Sequence, residues 1–173
     1  MKKLLVFYLC LLSVVCKGQE PAENSTGFYA DYMMGTYLLL DDVAYKSVFL
    51  NGFRLGKKTG QRTAVQVEYL LGNQEDRSGV RGTTHTANLQ FLYFLNDRQS
   101  AFTPYLYIGG GFFEFKDFSR DKLGVAWNGG LGTEANVSDS IAAIAEFRYL
   151  NIGPLNLEGV NQIGVLWGIR LKF

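Results

Sequence analysis

The end of the chain alternates between large apolar side chains and small or charged ones, with a period of two residues. The apolar parity comprises Ile163, Val165, Trp167, Ile169, Leu171 and Phe173. The other parity comprises Gln162, Gly164, Gly168, Arg170 and Lys172, with Leu166 as an exception. Successive side chains of a β-strand point to opposite faces, so this period predicts a strand with one apolar face.

Segments of the same kind recur along the chain, and we count eight of them. Each combines about 10 to 14 residues rich in aromatic and β-branched side chains with a turn rich in Gly, Asn, Asp, Ser or Lys. The predicted strand units are 27–40, 45–56, 62–72, 83–95, 102–115, 123–135, 140–150 and 160–173. An aromatic content of 14%, with 20 Gly and only 3 Pro, is typical of strands joined by tight turns.

Residues 1–18 predict a cleaved signal peptide. Two lysines precede an apolar run over 4–15, which is too short to cross a bilayer as a helix and has the length of a signal-peptide core. Cys16 and Gly18 have the small side chains that a signal peptidase prefers, so we place cleavage after Gly18. Attachment of a lipid to Cys16 is the alternative. Residues 19–26 are polar and form a short leader into the first strand.

Cleavage at this point changes both the charge and the thiol chemistry of the chain. It removes three of the 17 basic residues and none of the 16 acidic ones, which leaves a net charge of −2. It also removes both cysteines, Cys10 and Cys16, so the mature chain has no disulfide. A charge this close to balance does not suggest nucleic acid as a partner.

The apolar parity faces either the interior of a soluble lipocalin-like barrel or a surrounding membrane. The interior of an eight-stranded barrel is just wide enough for its side chains. It does not accommodate the large members of the apolar parity together, namely Trp127, Trp167, Phe147, Tyr149, Tyr69, Phe91 and Tyr93. Gly, Ala, Asn and a few paired charges do fit. We therefore predict an all-β fold, a single eight-stranded antiparallel up-and-down transmembrane β-barrel over 27–173, with the lipocalin-like barrel as the alternative.

The predicted connections have the lengths expected of a membrane barrel whose termini lie in the periplasm. The inner connections are 57–61, 96–101 and 136–139. Three longer outer connections are 73–82, 116–122 and 151–159. Short periplasmic turns and longer external loops are typical of outer-membrane barrels.

Charged residues within the strands share the parity of the small residues, which places them in the lumen. The predicted lumen charges are Arg54, Glu68, Glu134, Glu146, Arg148, Arg170 and Lys172. A charge that faced lipid at mid-membrane would cost about 2–4 kcal/mol, so the lumen is the favourable location. Because the signs nearly balance, we expect a salt-bridged plug rather than a selectivity ring of one sign. The sequence does not determine which charges pair.

Several segments resemble those of a known family. The terminal strand 163–173 resembles the outer-membrane β-signal, an alternating strand that ends in an aromatic residue and that the assembly machinery recognises. The resemblance implies four assembly-signal residues, Trp167, Ile169, Leu171 and Phe173. Segments 104–112 and 129–132 resemble strands of the small outer-membrane β-barrel proteins, including the outer-membrane protein A transmembrane domain. The resemblance covers the mature chain and implies the outer membrane of a Gram-negative bacterium.

The arrangement of 104–111 and 148–159 is also similar to that of the lipid A deacylases. Enzymes of that family carry a His-x-Ser pair on the seventh strand and a Glu on the eighth. Here the corresponding segments are 148–151 (RYLN) and 160–162 (VNQ), so the nucleophile, the base and the orienting carboxylate are missing. We therefore predict no enzymatic activity.

A lone histidine, His85, cannot form a His cluster for zinc, and we expect no metal or cofactor. The predicted function is a structural or binding role in the cell envelope. The alternatives are a lipid A-modifying enzyme, with Glu68, Asp76 and His85 gathered at the outer rim, a small diffusion pore, and a soluble ligand-binding barrel. The expected partners are lipopolysaccharide and phospholipid of the outer membrane and the assembly machinery. We expect a monomer.

Overall fold

A computed structural model describes residues 27–39, 48–75, 81–96, 100–116, 121–153 and 160–173. The predicted signal peptide, the leader and Asp76 lie outside the described residues. The eight strands are β1 (Phe28–Leu39), β2 (Val48–Lys58), β3 (Thr63–Glu75), β4 (Arg81–Phe94), β5 (Phe102–Lys116), β6 (Asp121–Asn136), β7 (Ile141–Gly153) and β8 (Val160–Lys172). No helix long and apolar enough to cross a bilayer occurs in the part of the chain that the structure describes.

Every strand pairs antiparallel with the next one in the chain, and β8 pairs with β1 to close a barrel. The predicted all-β, eight-stranded, up-and-down barrel is therefore confirmed. Both ends of the barrel segment lie together, because the Phe173 amide donates to the Phe28 carbonyl at 2.9 Å. Closure leaves no unpaired sheet edge, which a spanning sheet requires in lipid.

Several strands run further at one end than the sequence patterns predict. β3 continues to Glu75, β6 begins at Asp121 and β7 continues to Gly153, all within segments predicted as outer connections. At the other end, β2 includes Lys57 and Lys58, which were predicted to belong to a turn. Backbone pairing continues past the apolar part of each strand because the ladder hydrogen bonds do not depend on side-chain polarity.

The pairing register tilts the strands around the barrel axis. A row of paired residues that starts at Asp31 passes through Arg54, Glu68, Asn88, Gly111, Ala126 and Ile152 and reaches Val160. Asp31 itself pairs with Arg170, ten positions further along β8. This stagger is what a closed barrel needs. The stagger also brings the middle of β7 to the same height along the barrel axis as the side chains of Arg54 and Glu68.

Large apolar side chains cover the outer wall of the barrel. Their exposed fractions include 63% for Trp127, 65% for Phe53 and 66% for Ile108. All seven aromatic residues that the sequence analysis excluded from the interior are exposed, at 43–63%. An apolar band of this kind faces lipid in outer-membrane barrels.

The lumen is not lined only by small residues and charges, as the sequence analysis expected. Four inward tyrosines lie opposite glycines of neighbouring strands: Tyr29 opposite Gly56, Tyr37 opposite Gly164, Tyr105 opposite Gly132 and Tyr107 opposite Gly130. A Cβ built at Gly132 would lie 2.5 Å from a ring carbon of Tyr105. The glycines thus provide the space in which the rings lie against the wall.

Candidate functional site

The candidate site is a group of four buried charged side chains in the middle of the lumen, which we call the ionic quartet: Arg54, Glu68, Glu146 and Arg148. Arg54 donates from both terminal nitrogens to Glu146, at 2.7 Å each, and from Nε to Glu68 Oε2 at 2.7 Å. Arg148 donates to the two oxygens of Glu68 at 2.6 and 2.7 Å and to Glu146 Oε2 at 3.1 Å. Each carboxylate therefore binds both guanidinium groups, and the charges alternate around the quartet.

The ionic quartet bridges the lumen from wall to wall. Arg54 and Glu68 extend from β2 and β3, whereas Glu146 and Arg148 extend from β7. β7 is adjacent to neither β2 nor β3 in the closed sheet, so the Arg54–Glu146 and Arg148–Glu68 pairs cross the interior. All four side chains are fully buried in the structure. The quartet therefore occupies the lumen at this level.

Neutral side chains from other strands complete the hydrogen bonding of the quartet. The Tyr105 hydroxyl donates to Glu146 Oε1 at 2.7 Å, and Asn88 Nδ2 donates to Glu68 Oε1 at 3.0 Å. Arg148 donates from Nε to the Tyr107 hydroxyl at 2.9 Å and from Nη1 to the Tyr37 hydroxyl at 3.1 Å. Buried charges are tolerated when paired and hydrogen-bonded in this way.

A second group of charges, the seam cluster, lies nearer the end of the barrel at which Phe28 and Phe173 meet. It consists of Asp31, Glu134, Arg170 and Lys172. Arg170 binds both oxygens of Asp31 at 2.8 Å and Glu134 Oε2 at 2.7 Å. Lys172 lies 2.5 Å from Glu134 Oε1 and also donates to Asn136. The Arg170 guanidinium stacks 3.8 Å from the centre of the Tyr29 ring.

The structure thus places all seven predicted lumen charges on the inner face and adds Asp31, which the sequence analysis missed. Asp31 shares its parity on β1 with Tyr29, Met33 and Tyr37, and these large side chains conceal the contrast between the two faces. Its charge is the signal that could have identified it, because an ionised carboxylate does not face lipid. With Asp31 included, the two groups together hold four cations and four anions.

Of the three residues considered for an enzymatic rim site, Glu68 and His85 do not come together. Glu68 is buried in the lumen, whereas His85 shares the lipid-facing side of the wall with its β3 partner Leu71 and bonds the Tyr69 hydroxyl at 2.8 Å. Glu68 and His85 therefore lie on opposite sides of the barrel wall, and the expected gathering at the rim is wrong for this pair. The physical reason is strand parity, since 68 and 85 lie on opposite faces of the β3–β4 ladder. Asp76 lies outside the described residues.

Within the described ranges, no group of three or more His, Cys, Asp or Glu side chains has the geometry of a metal site. Every carboxylate of the quartet is instead bound by arginine. Arginine remains charged at any physiological pH, so it does not give up its place to a cation readily. The quartet can thus hold the barrel walls together, but it offers no open coordination position.

The four predicted assembly-signal residues all lie on the lipid-facing side of β8. Their exposed fractions are 43% for Trp167, 56% for Ile169, 46% for Leu171 and 77% for Phe173. The β8 strand is also one of the two strands at which the barrel closes. Recognition of these residues by the assembly machinery stays a prediction.

Comparisons with known proteins agree with this architecture. The family model of the outer membrane protein beta-barrel domain matches residues 7–170. Neisserial surface protein A (NspA) is similar in structure, with a TM-score of 0.69, 18% identity, and coverage of 86% of this chain and 97% of that chain. OprG from Pseudomonas aeruginosa has a TM-score of 0.59 at 13% identity, covering 86% of this chain and 96% of its own.

The N-terminal beta-barrel domain of Pseudomonas aeruginosa OprF has a TM-score of 0.58 at 15% identity, covering 86% of this chain and 98% of that domain. At such identities, likeness in structure shows the fold alone. None of the curated proteins compared with the chain matches it. The match of the family model over most of the sequence shows that the chain belongs to the outer membrane protein β-barrel domain family and is an outer-membrane β-barrel protein.

Proposed function

We propose that this protein is a closed, monomeric barrel with a structural or binding role in the cell envelope, exerted at its outer end. The observation that carries the proposal is the ionic quartet, in which the Arg54–Glu146 and Arg148–Glu68 pairs join β2 and β3 to β7 across the lumen. A barrel whose interior is occupied in this way offers its outer surface, not its lumen, to partners.

A diffusion pore is disfavoured by width and by charge. Eight strands enclose a space that side chains fill, and open aqueous channels occur in barrels of about 16 strands. The charges of the quartet are neutralised in pairs, so they do not form a ring of one sign that would select an ion. These features support a barrel without a steady conductance.

A lipid A-modifying enzyme is disfavoured by the positions of the reactive side chains. The described serines are Ser100, Ser138 and Ser140, and they lie in the turns at the end of the barrel where Phe28 and Phe173 meet. His85 lies in the other half of β4, on the lipid-facing side, where Tyr69 is its hydrogen-bond partner. A nucleophile and its base need hydrogen-bond contact, which this separation prevents. Among the described residues, the arrangement therefore disfavours a serine hydrolase that uses His85 as its base.

The lipid-facing wall supports the proposal that lipopolysaccharide and phospholipid surround the barrel. Outward positions become polar toward the outer end of the strands, at Asn73, Thr83, Glu114 and Asn161. Such a change from apolar to polar side chains fits the boundary between acyl chains and headgroups. The assembly machinery remains a proposed partner through the terminal strand.

The test is complementation of a deletion strain with loop variants. We expect the deletion to raise sensitivity to bile salts and to leave the acylation of lipid A unchanged by mass spectrometry. Replacing the outer connections 40–47, 76–80, 117–120 and 154–159 in turn with Gly-Ser linkers should abolish complementation for at least one of them. The matched control is the same replacement in the turn 59–62, at the other end of the barrel. Each variant is checked for a folded barrel by its gel mobility before and after boiling.

Two results would contradict the proposal. Loss of an acyl chain from lipid A when the protein is overproduced would show enzymatic activity. Full complementation by every loop variant, together with a porin-sized current from the purified wild type in planar bilayers, would show that the lumen carries the function.

A further inference from the structure

One strand carries a polar stripe along the inner wall. The inward side chains of β4 from its outer half to the middle are Thr84, Thr86, Asn88 and Gln90, which we call the β4 stripe. On either side of its outer part the wall is apolar, formed by Leu50 of β2, Leu70 of β3 and Phe113 of β5. The β4 stripe thus leads from the outer half of the lumen toward the ionic quartet.

Three atoms of the β4 stripe are buried without a protein partner. Thr84, Thr86 and Asn88 are 1%, 3% and 1% exposed. Among the described residues, nothing hydrogen-bonds to Oγ1 of either threonine or to Oδ1 of Asn88. Burying a polar atom in apolar surroundings is unfavourable unless it is hydrogen-bonded, and most such atoms in proteins bind either protein or ordered water.

A small cavity lies beside Thr84 and Thr86 in the outer half of the lumen. Its volume is about 10 Å³, and its polar lining comes from Thr84, Thr86, Tyr37 and Gln162. Leu50 and Phe113 contribute to its apolar lining. A space of this size accommodates about one water molecule, and a water is stably bound when it has two to four polar partners.

One residue of the cavity lining, Tyr37, is hydrogen-bonded to the ionic quartet. Tyr37 lines the cavity and accepts a hydrogen bond from Arg148 at 3.1 Å. Nearer the middle of the barrel, Asn88 Nδ2 donates to Glu68 at 3.0 Å, and its Oδ1 has no hydrogen-bond partner among the described residues. A molecule bound in the cavity is therefore linked to the arginine–glutamate pairs through Tyr37.

We propose that the β4 stripe is a binding site for water, which forms a short hydrogen-bonded chain from the outer half of the lumen to the quartet and ends there. Water is the class of ligand that fits, because the space is small and the unpartnered atoms are two hydroxyls and a carbonyl oxygen, which together donate and accept. The chain ends at the quartet because the charges there are paired with one another across the lumen. The outer half of the lumen is thus hydrated, and the inner half is separated from it.

A crystal structure combined with two nearly isosteric substitutions tests the proposal. We expect ordered water within hydrogen-bond distance of Oγ1 of Thr84 and of Thr86. Thr84→Val and Thr86→Val replace the hydroxyl by a methyl group of similar size, so each should lower the melting temperature in detergent by a few degrees through loss of the bound water. The matched control is Thr36→Val on the lipid-facing side of β1, away from the stripe, which should leave the melting temperature unchanged.

Three results would overturn the proposal. The first is a rise in the melting temperature of either valine variant, because removal of an unsatisfied hydroxyl from a dry site is stabilising. The second is electron density that shows side chains of the outer connections bonded to the two hydroxyls. The third is osmotic water permeability of vesicles that rises with the wild-type protein, since a chain that ends at the quartet does not conduct water through the barrel.

Discussion

Asp31 of β1 and Arg170 of β8 form a bidentate ion pair across the seam at which the barrel closes. Nε and Nη2 of Arg170 each donate to one oxygen of Asp31 at 2.8 Å, and the two residues lie directly opposite each other in the strand register. The first and last strands of the barrel are therefore joined by side chains as well as by backbone hydrogen bonds. Because both side chains are fully buried, the pair is protected from screening by salt.

We predict that Asp31→Asn destabilises the barrel strongly. The substitution keeps the size of the side chain but leaves the Arg170 charge undercompensated, and breaking a buried pair costs about 3–5 kcal/mol when no other partner replaces it. Glu134 still binds Arg170, so we expect the lower end of this range. Urea unfolding in detergent, followed by tryptophan fluorescence, measures the change.

The control for this prediction is Asp139→Asn. Asp139 is an exposed carboxylate in the turn between β6 and β7, so its substitution should change the free energy of unfolding little. Equal stability of Asp31→Asn and Asp139→Asn would show that the seam pair contributes nothing to closure.

A second prediction concerns the glycines beneath the inward tyrosines. In Gly132→Ala the new methyl group would lie about 2.5 Å from ring atoms of Tyr105, whose hydroxyl donates to Glu146. Overpacking of this kind costs about 1–3 kcal/mol. Gly129→Ala on the same strand is the control, because its methyl group meets nothing closer than a backbone oxygen at 3.4 Å. Equal melting temperatures of the two variants would contradict the space-filling role assigned to Gly132.

A third prediction is that Phe173 contributes to assembly in the cell. Deletion of Phe173, or Phe173→Asp, removes the exposed aromatic residue that ends the β8 pattern. We expect a lower assembled fraction in outer membranes, with refolding of the purified chain into detergent less affected. The comparison is made by gel mobility of unboiled samples. Equal assembly of variant and wild type in cells would refute the β-signal assignment.

The fold could be predicted from the sequence because strand parity is a local property. On β7, for example, Phe147 and Tyr149 alternate with Glu146 and Arg148, and the structure exposes the first two and buries the second two. The assignment needs no knowledge of any other strand. It rests only on the cost of placing a charge in lipid and a large ring in a narrow lumen.

The pairing within the lumen could not be predicted in the same way. Arg54 bonds to Glu146, which is 92 positions away and on the far side of the barrel, because the stagger of the register brings β7 to the level of β2. The aromatic lining was missed for a related reason. Tyr105 fits in the lumen only because Gly132 lies opposite it on the next strand, and a pattern within one strand does not contain that relationship.

The last prediction concerns the ionic quartet and conductance. Glu146 accepts hydrogen bonds from both terminal nitrogens of Arg54 and from the Tyr105 hydroxyl. In Glu146→Ala, Arg54 therefore keeps only Glu68 as a partner in the quartet. We expect a loss of about 3–5 kcal/mol in the free energy of unfolding, as for other broken buried pairs. In planar bilayers the wild type should show no large steady conductance, whereas the variant should open more often because a link across the lumen is missing.

The matched control is Glu114→Ala on the outer wall. Glu114 pairs with Lys116 at 3.3 Å, and both side chains are more than a third exposed, so this ion pair contributes little to stability. Its removal should change neither the unfolding transition nor the bilayer recordings. A stable porin-sized current from the wild type, or a Glu146→Ala protein that matches the Glu114→Ala control in both measurements, would mean that the quartet does not close the lumen. An early melting transition without openings would instead assign the quartet to stability alone, with the aromatic side chains around it, such as Tyr105 and Tyr107, closing the barrel.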